Sequence, residues 1–192
     1  GRLLEEISSG TAIVALAAAE ADCGDRWQDL QTTASRNGDD WVLTGDKIMV
    51  MNAPLATHLL IAARTDSGIS LFLVDNSEPR AGLVVHDYRT VDDRRAADLE
   101  LHKLRLPGDA LLGAEGDAWP SLAQARDEGA AAVCAEAVGN MRKVLDDTVE
   151  YAKQRQQFGQ PIGSFQALQH RMVDMHMELE QSVSAVYLAV LN

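Results

Sequence analysis

Cysteine is scarce in this chain: Cys23 and Cys134 are the only two among 192 residues. They lie far apart, with no CxxC spacing and no Cys/His ligand pattern, which argues against a disulfide framework or a structural zinc site and makes a reducing cytoplasm the expected compartment. Long apolar runs are missing as well. No stretch approaches the roughly 18 to 20 residues needed to cross a bilayer, and no basic segment precedes an apolar one at the start, so neither a membrane span nor a secretory leader is expected. Cations are outnumbered, 17 Lys+Arg against 29 Asp+Glu, for a formal net charge of −12. A groove that tracks nucleic-acid phosphates needs clustered cations, so nucleic acid is not an expected partner. Neither GxGxxG nor GxxxxGK[ST] occurs, and without a GxSxG elbow hydrolase chemistry has no positive support.

What remains is an ordinary globular composition, 46% hydrophobic and 24% charged, in a chain long enough to bury roughly 70% of its unfolded surface. It begins inside a helix-like run, RLLEEISSG, and ends inside another, AVYLAVLN. Both ends read as cut.

Two halves carry different periods. From Thr11 to about Gly113, turn signals separate short runs rich in Val, Ile, Leu and Thr, such as THLLIAAR, ISLFLVD, GLVVHDY and DLELHKLRL. Asn37-Gly38 marks a tight reversal between two more. Six or seven such strands predict an antiparallel barrel or sandwich. After Pro120, Val133, Ala137, Met141, Val144, Thr148 and Ala152 recur at helical spacing, which predicts one face of a helix from about Trp119 to Arg155. Gly159, Pro161 and Gly163 stop it, and Ser164 is placed to cap the next helix, whose stripe is Phe165, Leu168, Met172, Met175, Leu179, Val183, Val186 and Val190. Two such helices should pack on each other and on further helices. The expected class is α+β, an antiparallel barrel or sandwich followed by part of a helical bundle.

His170 and His176 flank a Met-rich turn, but six residues of helix rotate about 600° and set the imidazoles on opposed faces, so no metal site is expected. The acidic pairs Glu5-Glu6, Asp39-Asp40, Asp92-Asp93 and Asp146-Asp147 are simplest as solvated positions. The most informative segment is YAKQRQQFGQPIGSFQALQH, residues 151–170. It places Arg155 at a helix end, Phe158 on a tight turn and Gln166 just inside the next helix. A guanidinium suits a pyrophosphate, because its planar fork donates paired charge-assisted hydrogen bonds. The same residues equally suit a cation at a helix C-terminus and a Phe plugging a helical hairpin.

This segment, in the pattern Y-A-x-x-R-x-x-F-G-x-P-I-x-x-F-Q-x-x-Q, resembles the helical hairpin of the acyl-CoA dehydrogenase family. The likeness extends through GTAIVALAAAEADCGD, through WVLTGDKIMVMNAPLATHLLIAAR and through DLELHKLRLPGDALLG, and so covers nearly the whole chain. The resemblance implies three parts: the end of an N-terminal helical domain over 1–10, a middle β-domain over 11–115, and the first two long helices of a C-terminal bundle over 116–192. It implies FAD shared between subunits of a homo- or hetero-oligomer, a dimer or a dimer of dimers. It implies α,β-dehydrogenation of an acyl-CoA thioester and an electron-transfer acceptor. Carried over by position, Arg155, Phe158 and Gln166 would contact the FAD of a neighbouring subunit, and Gly24 would lie at the flavin loop.

Other positions depart from the family pattern. Ala19-Glu20-Ala21 stands where Thr-Glu-Pro is usual, Gly24-Asp25-Arg26 where Gly-Ser-Asp is usual, and Met49 and Met51 where an aromatic and a Thr cover the ring. The usual Glu base belongs beyond Asn192, the less common one falls at Gly129 and Ala130, and Glu128 is one residue off register, about 100° around the helix. An intact trans-acting hairpin beside an altered cis cradle is the pattern of a subunit that completes the FAD site of a different polypeptide, as in heteromeric members that degrade sterols and other bulky acyl chains. A flavin-free binding protein on the same fold and an active homomeric dehydrogenase are the alternatives.

Overall fold

The computed structural model describes residues 2–191; Gly1 and Asn192, the outer ends of the two terminal parts expected above, lie outside them. Two compact units part between Leu122 and Ala123. The first opens with helix α1 (Arg2–Ser9) and holds strands β1 (Val14–Ala17), β2 (Thr33–Asn37), β3 (Asp40–Met51), β4 (His58–Thr65), β5 (Gly68–Asp75), β6 (Leu83–Arg89), β7 (Arg95–Leu106) and β8 (Leu111–Leu112). They make one sheet in the order β6-β7-β3-β2-β4-β5-β8, with β1 set on β4.

The antiparallel expectation needs correction, because the sheet is mixed. β1 runs parallel to β4, from Val14 opposite His58 to Ala17 opposite Ile61, and β2 meets the same strand in parallel at Thr33 and Arg64. Alternating polarity within a strand reports which face is buried, not which way its neighbour runs. The α+β class itself holds. Neighbouring residues of β4 and β5 point to opposite faces and feed two cores. Ile61 and Phe72 join Trp41, Leu43, Leu59, Leu99 and Leu101, while Ala62 and Leu71 join Ala18, Cys23, Leu30, Ile69 and Leu122. Trp41 meets Phe72 edge-on at 5.2 Å between centroids, a favoured aromatic geometry.

The β2–β3 hairpin turns through Gly38 and Asp39, and the positive φ of +66° falls on Gly38 alone, not on Asn37. Two irregularities then bend β3 against β7, between Leu43 and Gly45 and between Lys47 and Val50. At the first, Gly45 passes so close to Thr32 that a Cβ would lie 2.7 Å from the Thr32 Cα, a place only glycine can occupy. At the second, Met49 sits at φ +50° with its N–H donated to Asp98 Oδ1 at 2.9 Å; the Tyr88 hydroxyl donates to the same oxygen at 2.9 Å. A β-bulge re-aims a side chain, and Met49 is accordingly turned outward.

The second unit takes in most of α2 (Trp119–Gln154), a two-stranded turn of β9 (Gln156–Gln157) and β10 (Gln160–Pro161), and α3 (Gln166–Leu191). The inward face of α2 keeps only part of the expected stripe. Ala152 is buried and Met141 and Thr148 are half-buried as expected, but Val133, Ala137 and Val144 are exposed, and Leu145 is buried with Val138 half-buried. Residues 144 and 145 are both apolar and about 100° apart, so periodicity alone admits either phase. Leu179 is the buried centre of α3. Ser164 does not cap α3: it lies in a 3-10 turn, Ile162–Ser164, and its hydroxyl donates to the Pro161 carbonyl at 2.7 Å.

Candidate functional site

Arg155, Phe158 and Gln166 are gathered on the connection between α2 and α3. Helix α2 stops at Gln154, one residue short of expectation, although the Arg155 N–H still donates to the Tyr151 carbonyl at 2.8 Å. Gln157 then pairs with Gln160, so Phe158 and Gly159 are the two central residues of a two-residue turn, at φ +56° and +79°. A hairpin of this length favours two positive φ values, a demand usually met by Asn-Gly. A phenylalanine at the first of these positions is strained by about 1–3 kcal/mol. The ring gains little burial in return, being 92% exposed, and among described aromatic residues it meets only Phe165, at 6.1 Å and 87°. Arg155 is exposed too, and among the described residues no side chain pairs with its guanidinium. Gln166 opens α3 with its side chain in solvent. An exposed guanidinium, an exposed aromatic ring and an exposed amide thus share one connection.

A first prediction arises from this strain. Phe158→Asn should raise hairpin stability by about 0.5–1 kcal/mol, since Asn tolerates the left-handed region and the ring it replaces is barely packed. Ligand affinity should fall in the same variant. Thermal unfolding with a binding titration checks both signs together.

Gly24 belongs to the first unit, exposed at φ +56° with open space where a Cβ would stand. The stretch before it contains what the sequence reading missed. Glu20 and Lys47 form a buried ion pair, Nζ to Oε1 2.7 Å, with Lys47 wholly buried. Glu20 also accepts the backbone N–H groups of Gln31 at 2.5 Å and Thr32 at 3.0 Å, and the Ile48 N–H donates to the Ala19 carbonyl at 3.0 Å. Burial pushes the Glu20 carboxyl up, but the hydrogen bonds from Lys47, Thr32 and Gln31 outweigh it and hold the group below the ordinary carboxylate range. Burial likewise pulls the Lys47 ammonium down, against the opposing pull of Glu20. The pair ties the segment of Ala19 to the strand of Met49 and Met51. A lysine inside a strand that is otherwise buried at that face was the available signal.

Glu128 is exposed and accepts from Gln124, so it is a solvated charge. Among the described residues no cluster of His, Cys, Asp and Glu is fit for a metal, and no helix is long and apolar enough to cross a membrane.

Two family models meet this architecture. The acyl-CoA dehydrogenase middle domain matches residues 15–104 and the acyl-CoA dehydrogenase C-terminal domain matches residues 116–192. The chain belongs to the acyl-CoA dehydrogenase family. A probable acyl-CoA dehydrogenase of Bacillus subtilis, YngJ, is 34% identical over 186 residues, covering 92% of this chain and 48% of its own. An L-prolyl-[peptidyl-carrier protein] dehydrogenase of Serratia is 32% identical, over 98% of this chain and 50% of its own. Among solved structures, a glutaryl-CoA dehydrogenase from Mycobacterium smegmatis in complex with FADH2 superposes at a TM-score of 0.86 with 29% identity, over 99% of this chain and 50% of that one. The chain thus spans about half the length of the acyl-CoA dehydrogenases it matches.

Proposed function

We propose that this chain is a subunit of an FAD-dependent acyl-CoA dehydrogenase in a homo- or hetero-oligomer, and that its α2–α3 turn grips the dinucleotide of an FAD seated on an adjoining subunit. The observation that carries the reading is Arg155, whose guanidinium pairs with no side chain among the described residues, three positions before a left-handed, exposed Phe158. The donor set suits the group: a guanidinium for the pyrophosphate, an aromatic face for a ring, and the Gln166 amide for a further oxygen. Bound FAD would supply the hydride acceptor that side chains lack, for dehydrogenation of an acyl thioester at its α and β carbons. Passing those electrons on requires a separate electron-transfer acceptor. The two free cysteines suit a reducing cytoplasm.

The β face supports a finer reading. No side-chain hydroxyl stands at Ala19, Asp25, Met49 or Met51, and the Met49 N–H is already given to Asp98. An unpaired acceptor on a buried flavin edge costs about 1–3 kcal/mol for each lost partner. The adjoining subunit is therefore a different, better equipped polypeptide, whose site this chain completes. Purification of the complete protein with its bound partners, followed by flavin quantitation, tests this. One FAD per pair of unlike subunits is expected; a homo-oligomer with FAD in every protomer overturns the finer reading, and a colourless protein with or without partners overturns the enzyme reading.

A further inference from the structure

We propose that Phe165 and Gln169 are positioning residues for this grip, setting Phe158 and Arg155 in place before any ligand arrives. The inference rests on the reading of the α2–α3 turn given above. A side chain as exposed as Phe158 has little to hold it, and the ring of Phe165 is what meets it, edge to face at 6.1 Å. Phe165 is itself half-buried at the start of α3, where its carbonyl accepts the N–H groups of Leu168 and Gln169. It is thus anchored by a helix, and it restricts one side of Phe158 while the other side stays open to a ligand.

Gln169 acts on the arginine by a second route. From the first turn of α3 its Nε2 donates to the Gly163 carbonyl at 2.9 Å, reaching back across six residues. Gly163 presses on the last turn of α2, where an added Cβ would lie 3.0 Å from the Ala152 carbonyl. The next residue back in the turn, Ile162, donates its N–H to the Arg155 carbonyl at 2.8 Å. Gln169, Gly163, Ile162 and Arg155 therefore form one connected series, and the amide at its far end fixes where the guanidinium starts. Neither Phe165 nor Gln169 is required to touch the dinucleotide for this role. Ordering side chains in advance removes entropy that binding would otherwise lose, and the benefit appears mostly as slower release.

The experiment uses the assembled, FAD-loaded protein, with free FAD as the probe. Release is followed by recovery of flavin fluorescence for Phe165→Leu, Phe165→Tyr, Gln169→Leu and Arg155→Ala, and helical content and unfolding are recorded on each apoprotein. Phe165→Leu and Gln169→Leu should release FAD several-fold to roughly tenfold faster, the scale set by freeing one or two side chains. Their unfolding should stay near the parent's, and Phe165→Tyr, which keeps the ring, should release FAD at the parental rate. Release at the parental rate from both leucine variants, with rapid loss from Arg155→Ala, overturns the positioning role and leaves the grip standing. Faster release accompanied by a matching loss of helix or stability overturns it too, as ordinary unfolding. Retention of FAD by Arg155→Ala overturns the grip itself, and the positioning role with it.

Discussion

Lys47→Met should destabilise the first unit by about 3–5 kcal/mol, the usual consequence of removing one partner from a buried ion pair. Lys47 is wholly buried and its Nζ lies 2.7 Å from Glu20, so methionine fills much of the volume yet leaves a carboxylate without its counter-charge. The pH dependence distinguishes this from a packing defect. In the parent, Glu20 is held below its ordinary value, so its contribution is present at neutral pH and is lost as pH falls through that lowered value. In the variant the cation's pull is gone and the carboxyl titrates higher. The stability gap between the two proteins should therefore narrow as pH falls through the carboxylate range, because both carry a neutral Glu20 at the acid end. Denaturant melts at several pH values measure this; a gap constant with pH would mean that packing, not charge, dominates.

The pair also explains how much of the molecule could be read in the sequence. Local periodicity is visible without a structure, and the strand run HLLIAART and the helical recurrence of Met141, Thr148 and Ala152 both follow from it. The gathering of Arg155, Phe158 and Gln166 on one connection followed from stop signals and short spacing. Partnerships over distance were hidden. Glu20 and Lys47 are 27 residues apart, and neither the parallel placement of β1 and β2 on β4 nor the hold of Asp98 on Met49 has a local signature. Phase was hidden as well, since Val144 and Leu145 are equally apolar and only the packed neighbours decide which turns inward. The tight turn at Phe158 was legible, but its left-handed backbone was not, because such a turn asks for Asn-Gly and the sequence places a phenylalanine there.

Ligand binding and folding should separate most sharply at Arg155. Its guanidinium is exposed and pairs with no described side chain, so Arg155→Ala should leave the apoprotein's stability within about 0.5 kcal/mol of the parent. FAD affinity should fall by roughly 100-fold or more, because two charge-assisted hydrogen bonds to a phosphate are each worth about 1.5–3 kcal/mol. Arg155→Lys keeps the charge but not the planar fork, and its affinity should lie between the other two. Added salt should weaken FAD binding in the parent and the lysine variant more than in the alanine variant, whose remaining contacts carry no charge at this position. Equilibrium titration of the three assembled proteins with FAD at low and high ionic strength reads both effects. Equal affinity in all three would remove the Arg155 contact to the pyrophosphate from the account and leave the strained ring of Phe158 and the Gln166 amide to hold a ligand at this turn.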